Sequence, residues 1–191
     1  MKQYFETQRL IFRSWQEEDI SYLARLNSDD KVMEYFLKKL SYQETIALYN
    51  QIQEEFTIYG FGAYSVEEKE TGVFIGFVGL HNVTFEVDFA PAVEILWRLL
   101  PEFWGKGYAT EAAIACLNYA KEELKLKEIV SFTSLLYKRS EHVMQKIGMT
   151  RIKEFNHPLV EPEHPLYRHI LYKIVSVSYT HLRAHETRSN L

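Results

Sequence analysis

An alternating α/β domain is what this sequence predicts, and three observations carry that reading. Runs of apolar, β-branched and aromatic residues bounded by polar turns alternate with segments whose apolar residues recur at helical spacing. A glycine-rich turn, Trp104-Gly-Lys-Gly-Tyr-Ala109, joins one such strand directly to one such helix. The chain has 191 residues, 47% of them hydrophobic, enough for one sizeable core and too few for two.

The elements follow in order. Arg9-Leu-Ile-Phe-Arg-Ser14 reads as a first strand. Glu17-Glu18-Asp19 then places acids at the start of a helix with Ile20, Leu23 and Leu26 on one face, where negative charge complements the helix dipole. A second, short helix is expected over Asp29–Phe36. A longer one runs over Tyr42–Tyr59, with Ile46, Tyr49, Ile52 and Phe56 at helical spacing and Gly60 and Gly62 to end it. Phe61–Val66 and Val73–Val83 form a hairpin around the polar turn 67–72. Val93–Leu100 is a further strand, stopped by Pro101. The helix after the glycine-rich turn carries Ala109, Ala112, Ala113, Cys116, Leu117, Ala120 and Leu124 on one face, small enough for close approach to a sheet. Glu128–Thr133 is a strand, and Lys138–Ile147 a helix that ends at Gly148.

Composition removes several function classes. With 22 basic and 26 acidic residues the formal charge is −4, so nothing argues for nucleic acid or an anionic membrane as partner. The single cysteine, Cys116, can form no intramolecular disulfide and reads as a core residue rather than a nucleophile. His157, His164 and His169 show no ligand spacing, so no metal is expected. No apolar run reaches the ~20 residues of a membrane span, and the N-terminus is too polar for a signal peptide. These features predict a soluble, cytoplasmic protein, either monomer or homodimer. Residues 1–175 form the expected single domain. From Val177 the chain shows neither alternation nor a helical stripe, and it is similar to a translated sequencing adapter; residues 176–191 are therefore expected to be a non-native, disordered tail.

A glycine-rich turn at a helix N-terminus directs several backbone N–H groups to one point, and the helix dipole favours an anion there. A phosphate-binding P-loop is excluded because Lys106 lies between the glycines. A dinucleotide fingerprint would need a third glycine where Thr110 stands, which disfavours a nicotinamide oxidoreductase. Two glycines alone are also compatible with a tight turn that binds nothing.

The wider context narrows this choice. The stretch from Val93 to Ala112 resembles the signature of the GNAT superfamily of N-acetyltransferases, in which a bulged strand leads through an Arg/Gln-x-x-Gly-x-Gly/Ala loop into a helix. Gly107 and Ala109 occupy the family's small-residue positions, while Trp104 stands in place of the usual Arg or Gln. Ser140, Val143, Lys146 and Gly148-Met149 resemble a second family motif, with Tyr137 where an asparagine is usual. The opening Glu6-Thr-Gln-Arg-Leu10 and the closing strands through Tyr172 resemble the ribosomal-protein-acetyltransferase-like (RimJ/RimL-type) branch. The resemblance implies a mixed, mainly antiparallel sheet of six or seven strands, splayed near Leu99, with helices on both faces. It also implies acetyl-CoA as co-substrate, bound by Trp97, Arg98 and Leu99 on the strand, by Trp104, Gly105, Lys106, Gly107, Tyr108 and Ala109 in the loop, and by Tyr137. The acceptor side is then expected from the first two helices and the 157–166 loop.

The implied reaction is acetyl transfer to a primary amine, whether a protein N-terminus, a lysine or a small molecule, by direct attack in a ternary complex. An α-amino group titrates near ~8 and a lysine near ~10.4, so a base or a desolvating site must remove a proton before attack. Glu94, among apolar residues at the start of the strand, is the candidate base; a solvated strand-end role is equally open. Ser140 is a candidate proton donor to the leaving sulfur, against a simple role at the helix N-terminus. Met144 stands where some relatives carry a tyrosine acid, so that role is not available there. A non-catalytic acyl-CoA sensor with the same cradle is the alternative function.

Overall fold

The computed structural model describes residues 1–175, and the expected tail lies outside them. Its strands are β1 (Gln3–Glu6), β2 (Leu10–Arg13), β3 (Ala63–Glu68), β4 (Phe74–Asn82), β5 (Val93–Leu99), β6 (Glu128–Ser134), β7 (Thr150–Asn156) and β8 (Arg168–Val175). Its helices are α1 (Asp19–Ser28), α2 (Tyr42–Tyr59), α3 (Tyr108–Glu122) and α4 (Lys138–Lys146). The strands make one eight-stranded sheet in the order β1-β2-β3-β4-β5-β6-β8-β7. Every neighbouring pair is antiparallel except β5 and β6. The mixed, mainly antiparallel architecture is as expected, with one strand more than the six or seven anticipated.

Two hydrophobic clusters cover the two faces. One joins Ile95 and Leu99 of the central strand to Ala112, Ala113, Cys116, Leu117 and Ala120 of α3, where alanines let the helix sit close to the sheet. The other joins Trp15, Leu23, Leu26, Tyr49, Ile52, Phe77 and Leu100, placing α1 and α2 on the opposite face. Alternate residues of β5 therefore serve opposite faces, Ile95, Trp97 and Leu99 toward α3, and Leu96 and Leu100 toward α1 and α2.

Local chemistry explains most element ends. Ser41 accepts from the Glu44 N–H while the Glu44 carboxylate accepts from the Ser41 N–H, a reciprocal cap that starts α2. Gly60, at φ 74°, ends the same helix. Pro101 ends β5 and opens a single 3-10 turn, Pro101–Phe103.

Three expectations are corrected here. Residues 29–36 are turns and bends, not a helix. Asp29 Oδ1 accepts from the Lys31 and Val32 N–H groups at 2.8 and 3.0 Å and caps a single turn closed by the Met33 N–H on the Asp29 carbonyl. After it the Phe36 N–H bonds the Met33 carbonyl and no helix propagates. The strand β1 was not legible; it exists by pairing with β2, Phe5 opposite Phe12 and Glu6 opposite Ile11. The sheet also splays earlier than Leu99. Glu94 opposite Val130 is the one registered pair between β5 and β6, so β5 runs on from there without a paired strand on that edge, its Ile95 carbonyl accepting instead from the Ser131 hydroxyl at 3.0 Å.

Candidate active site

The splay leaves a gap between β5 and β6, and two cavities meet in it. One, about 420 Å³, lies toward α2 and includes Glu94, Leu96, Phe132, His157 and His169 in its wall. The other, about 290 Å³, lies along Leu99, Trp104 and the N-terminus of α3. Phe36, Trp97, Arg98, Tyr137 and Ser140 line both, so the two spaces adjoin at mid-strand.

The smaller cavity is floored by the glycine-rich turn. Gly105 and Gly107 take φ of 73° and 81°, left-handed conformations that a side chain resists. Gly107 is the cap residue of α3 and no side chain caps that end. The turn is held from behind. Arg9 Nη1 donates to the Lys106 carbonyl at 3.0 Å, Arg9 Nε donates to Glu111 at 2.6 Å, and the guanidinium lies 4.2 Å from the Tyr108 ring centre. Trp104 donates its indole N–H to the Leu99 carbonyl at 2.8 Å, and the Arg139 guanidinium lies 4.2 Å from the Trp104 ring. Arg139, His142 and Lys146 also border this cavity. An uncapped helix N-terminus, a side-chain-free approach and cations at the rim suit a polyphosphate group. The unpaired edge of β5 beside it suits an amide-bearing arm. The residues present therefore fit coenzyme A.

Of the ten residues expected to bind the cofactor, Trp97, Arg98, Leu99, Trp104, Gly105, Gly107, Tyr108, Ala109 and Tyr137 line this cavity, and Lys106 does not. The Lys106 ammonium lies 5.6 Å from the Phe103 ring centre, and its carbonyl is taken by Arg9, so it holds the turn rather than the cavity wall. Tyr137 stacks on Tyr35 with centres 4.4 Å apart, fixing the wall shared by both spaces.

The larger cavity carries the titratable groups. Glu94 lies in its wall with no hydrogen-bond or ion-pair partner among the described residues, and burial pushes its carboxyl up to about 8. Glu94 is half-buried at this wall. Ser140 is buried, lines both cavities, and its hydroxyl has no protein partner among the described residues, so it does not cap α4. His169 is pushed down to about 4 by burial and by the nearby His157, whose own value is lowered by burial. Both imidazoles are thus neutral near pH 7.

Sequence reasoning separated residues that the fold brings together. His81 sits opposite Glu94 on β4 and meets Glu55 of α2 through its Nδ1 at 2.7 Å. Glu55 falls three residues after Ile52 on the packed face of α2, a position unusual for an acid and the available signal. The acceptor wall was expected from the first two helices and the 157–166 loop. The loop contributes His157, Val160 and Leu166, and the 29–40 segment contributes Tyr35, Phe36 and Leu37. The remaining helical wall is α2, with Leu48, Gln51, Ile52 and Glu55; α1 contributes no lining residue. Cys116 is fully buried among core residues, and its thiol is pushed up by burial, as a packing residue should be.

Comparison with known proteins agrees with this geometry. The acetyltransferase (GNAT) domain family matches residues 9–150. The Bacillus subtilis (strain 168) protein YkkB is 30% identical over 84% of this chain and 95% of its own length. The FsC-acetyl coenzyme A-N(2)-transacetylase of Aspergillus fumigatus is 31% identical over 78% of this chain and 66% of its own. A solved GNAT-family acetyltransferase from Bacillus anthracis superposes with a TM-score of 0.76 at 25% identity, covering 92% of this chain and 99% of that one. With its splayed sheet, its glycine turn and a family match over most of its length, the chain belongs to the GNAT acetyltransferase family and is an acyltransferase.

Proposed function

We propose that this protein transfers an acetyl group from acetyl-CoA to a primary amine by direct attack in a ternary complex, as a single domain over residues 1–175 of the RimJ/RimL-type branch. The observation that carries the reading is the meeting of the two cavities at Trp97, Arg98, Tyr137 and Ser140, with Glu94 in the wall of the second. One cavity suits coenzyme A and the other suits an acceptor, and reaction requires them to touch.

Acetyl-CoA supplies an activated acyl carbonyl. Glu94, at about 8, is matched to an amine that titrates near ~8, whereas an ordinary carboxylate would be a poor proton acceptor for it. The unpaired edge of β5 offers backbone N–H groups to negative charge developing on the carbonyl oxygen. Ser140, between the cavities and free of other partners among the described residues, can donate to the departing thiolate. The aromatic walls, Phe132 with His157 and Tyr137 with Tyr35, keep water from the junction.

Thiol release from acetyl-CoA, measured with peptides, polyamines and aminoglycosides, tests the reading. Turnover with at least one amine is expected. In wild type kcat/KM should rise with pH toward a plateau above about 8, because the base works only when deprotonated. Glu94→Gln should lower kcat/KM and leave only the rise due to deprotonation of the amine itself, with acetyl-CoA binding retained. Tight acetyl-CoA binding without turnover on any amine would instead mark a non-catalytic acyl-CoA sensor.

A further inference from the structure

Arg98 is a half-buried cation in the cavity wall with no counter-charge among the described residues. Its Nη1 donates to Asn27 Oδ1 at 2.7 Å, and its Nε is buried with no hydrogen-bond partner. No carboxylate lies within ion-pair distance of it among the described residues. Asn27 is itself fixed, donating to Thr45 Oγ1 at 3.2 Å. The rings of Phe36 and Phe77 lie 4.1 and 5.2 Å from the guanidinium carbon, so its plane is held by stacking. Burial pulls its value down to about 10, which leaves it charged at neutral pH.

Desolvating a cation is costly, and natural proteins usually offset that cost with a hydrogen-bonded anion. The cavity offers none near pH 7. Glu55 is taken by His81. Glu94 lies on the same face of β5 but about 13 Å of strand away, and its raised value keeps it largely neutral. His157 and His169 are neutral too. The guanidinium is therefore rigid, charged and one monoanion short, in the wall common to both cavities.

We propose that Arg98 is a subsite for a carboxylate carried by one of the two reacting molecules. The planar guanidinium fork matches a carboxylate in two-point geometry, and a single cation calls for a monoanion. That carboxylate belongs either to an acceptor that bears both an amine and a carboxylate, as a free amino acid does, or to an acyl group that ends in one. For the first source, Glu94 and Arg98 give the acceptor cavity an acidic and a basic pole on one strand face. The inference rests on the acyltransfer reading only for which molecule fills each cavity.

Matched pairs test it. With acetyl-CoA, a set of free amino acids is compared with their carboxamides; with a carboxylate-free amine, succinyl-CoA is compared with butyryl-CoA. In one of the two comparisons the carboxylate member should be preferred in kcat/KM by about tenfold or more. Arg98→Gln should collapse that ratio to near one, and Arg98→Lys should restore part of it, whatever happens to the absolute rates. Preference in the first pair assigns the carboxylate to the acceptor; preference in the second assigns it to the acyl group. Calorimetry on the CoA-loaded protein with the same amino acids and carboxamides, and on the apo-protein with the two acyl-CoAs, supplies a readout that needs no turnover. A carboxylate preference in binding without turnover would sustain the subsite and remove the acetyltransfer reading. Turnover or binding without any carboxylate preference, or a preference that survives Arg98→Gln, would overturn the subsite and leave acetyl transfer standing.

Discussion

Under the proposed function, burial of Glu94 would tie its role as base to its effect on stability. Its folded-state value of about 8 lies above the ordinary 4.5, so the folded protein holds a proton that the unfolded chain has released between those limits. Glu94's contribution to stability should therefore fall as pH rises from about 5 to 8 and level off above, opposed by the lowered His157 and His169 at the acid end of that window, while a neutral glutamine carries no such dependence. Denaturant titrations across that range should show Glu94→Gln gaining on wild type with rising pH; a constant difference would mean that the carboxyl is not desolvated. Gly107 tests the other cavity. A Cβ there would meet Arg9 Nη2 at 3.5 Å, an ordinary contact, so the cost of Gly107→Ala is mostly the left-handed backbone, about 1–2 kcal/mol. Gly107→Glu adds bulk and negative charge where an anion should sit, and acetyl-CoA affinity should fall at least about tenfold, or ~1.4 kcal/mol, below that of the alanine variant. Calorimetry on both folded variants decides it, and equal affinities would remove the phosphate cradle.

Each helix is set in place by a small number of contacts at its end. At the start of α1, Arg13 grips Asp19 with two hydrogen bonds of 2.7 and 2.9 Å in a buried setting, and its Nε donates to Glu67 at 2.6 Å. Asp19 also accepts from the Gln16 N–H, so one carboxylate ties the helix to β2 and to its own entry turn. Asp19→Ala removes two of these bonds and the Gln16 N–H contact but leaves Arg13 paired with Glu67, so it should cost about 2–3 kcal/mol in chemical denaturation, below the full cost of an orphaned buried charge. The exposed Arg25–Glu102 pair, 57% and 43% exposed, makes the contrasting case, and Glu102→Ala should change stability by less than ~1 kcal/mol. At α2 the reciprocal Ser41–Glu44 cap predicts a loss of about 1 kcal/mol for Ser41→Ala, read as a lower Tm with unaltered acetyl-CoA binding.

The sheet as a whole divides labour between its faces. In the proposed reaction the α3 face would bind the coenzyme, because a helix N-terminus and small residues make an anion site out of backbone. The opposite side, with α2, the 29–40 segment and the 157–166 loop, would surround the acceptor with side chains that can vary independently of the cradle. The last described strand, β8, lies between β6 and β7, and the described residues end with it at Val175. A chain ending there should melt within about 2 °C of the full-length protein, since losing even 1 kcal/mol of packing would lower Tm by ~2–4 °C at this size. A larger drop would place residues beyond Val175 in the fold.

Sequence alone determined the features whose causes are local. The span of α2 was legible from its apolar spacing and from Gly60 at its end, while the Ser41–Glu44 cap that starts it emerged only in the structure. The glycine turn and the apolar stripe of α3 were legible for the same reason, and with them the coenzyme side of the site. Tertiary structure decided what depends on distant chain. The short β1 has no stripe of its own and is a strand only because β2 supplies hydrogen bonds. Residues 29–36 carry a helical pattern and Asp29 caps one turn of it, yet the chain stops there, with Val32 and Met33 buried in the same cluster as Leu23, Leu26, Tyr49 and Ile52. Glu94 was visible as a candidate, but its raised pKa was not, because desolvation is a property of everything packed around a carboxyl. The meeting of Arg98 with Asn27, Phe36 and Phe77, and of His81 with Glu55, spans 21 to 71 residues of sequence. Propensity and spacing act over a few residues; an uncompensated charge in a cavity is made by the return of the chain, and only the folded sheet brings its neighbours into reach.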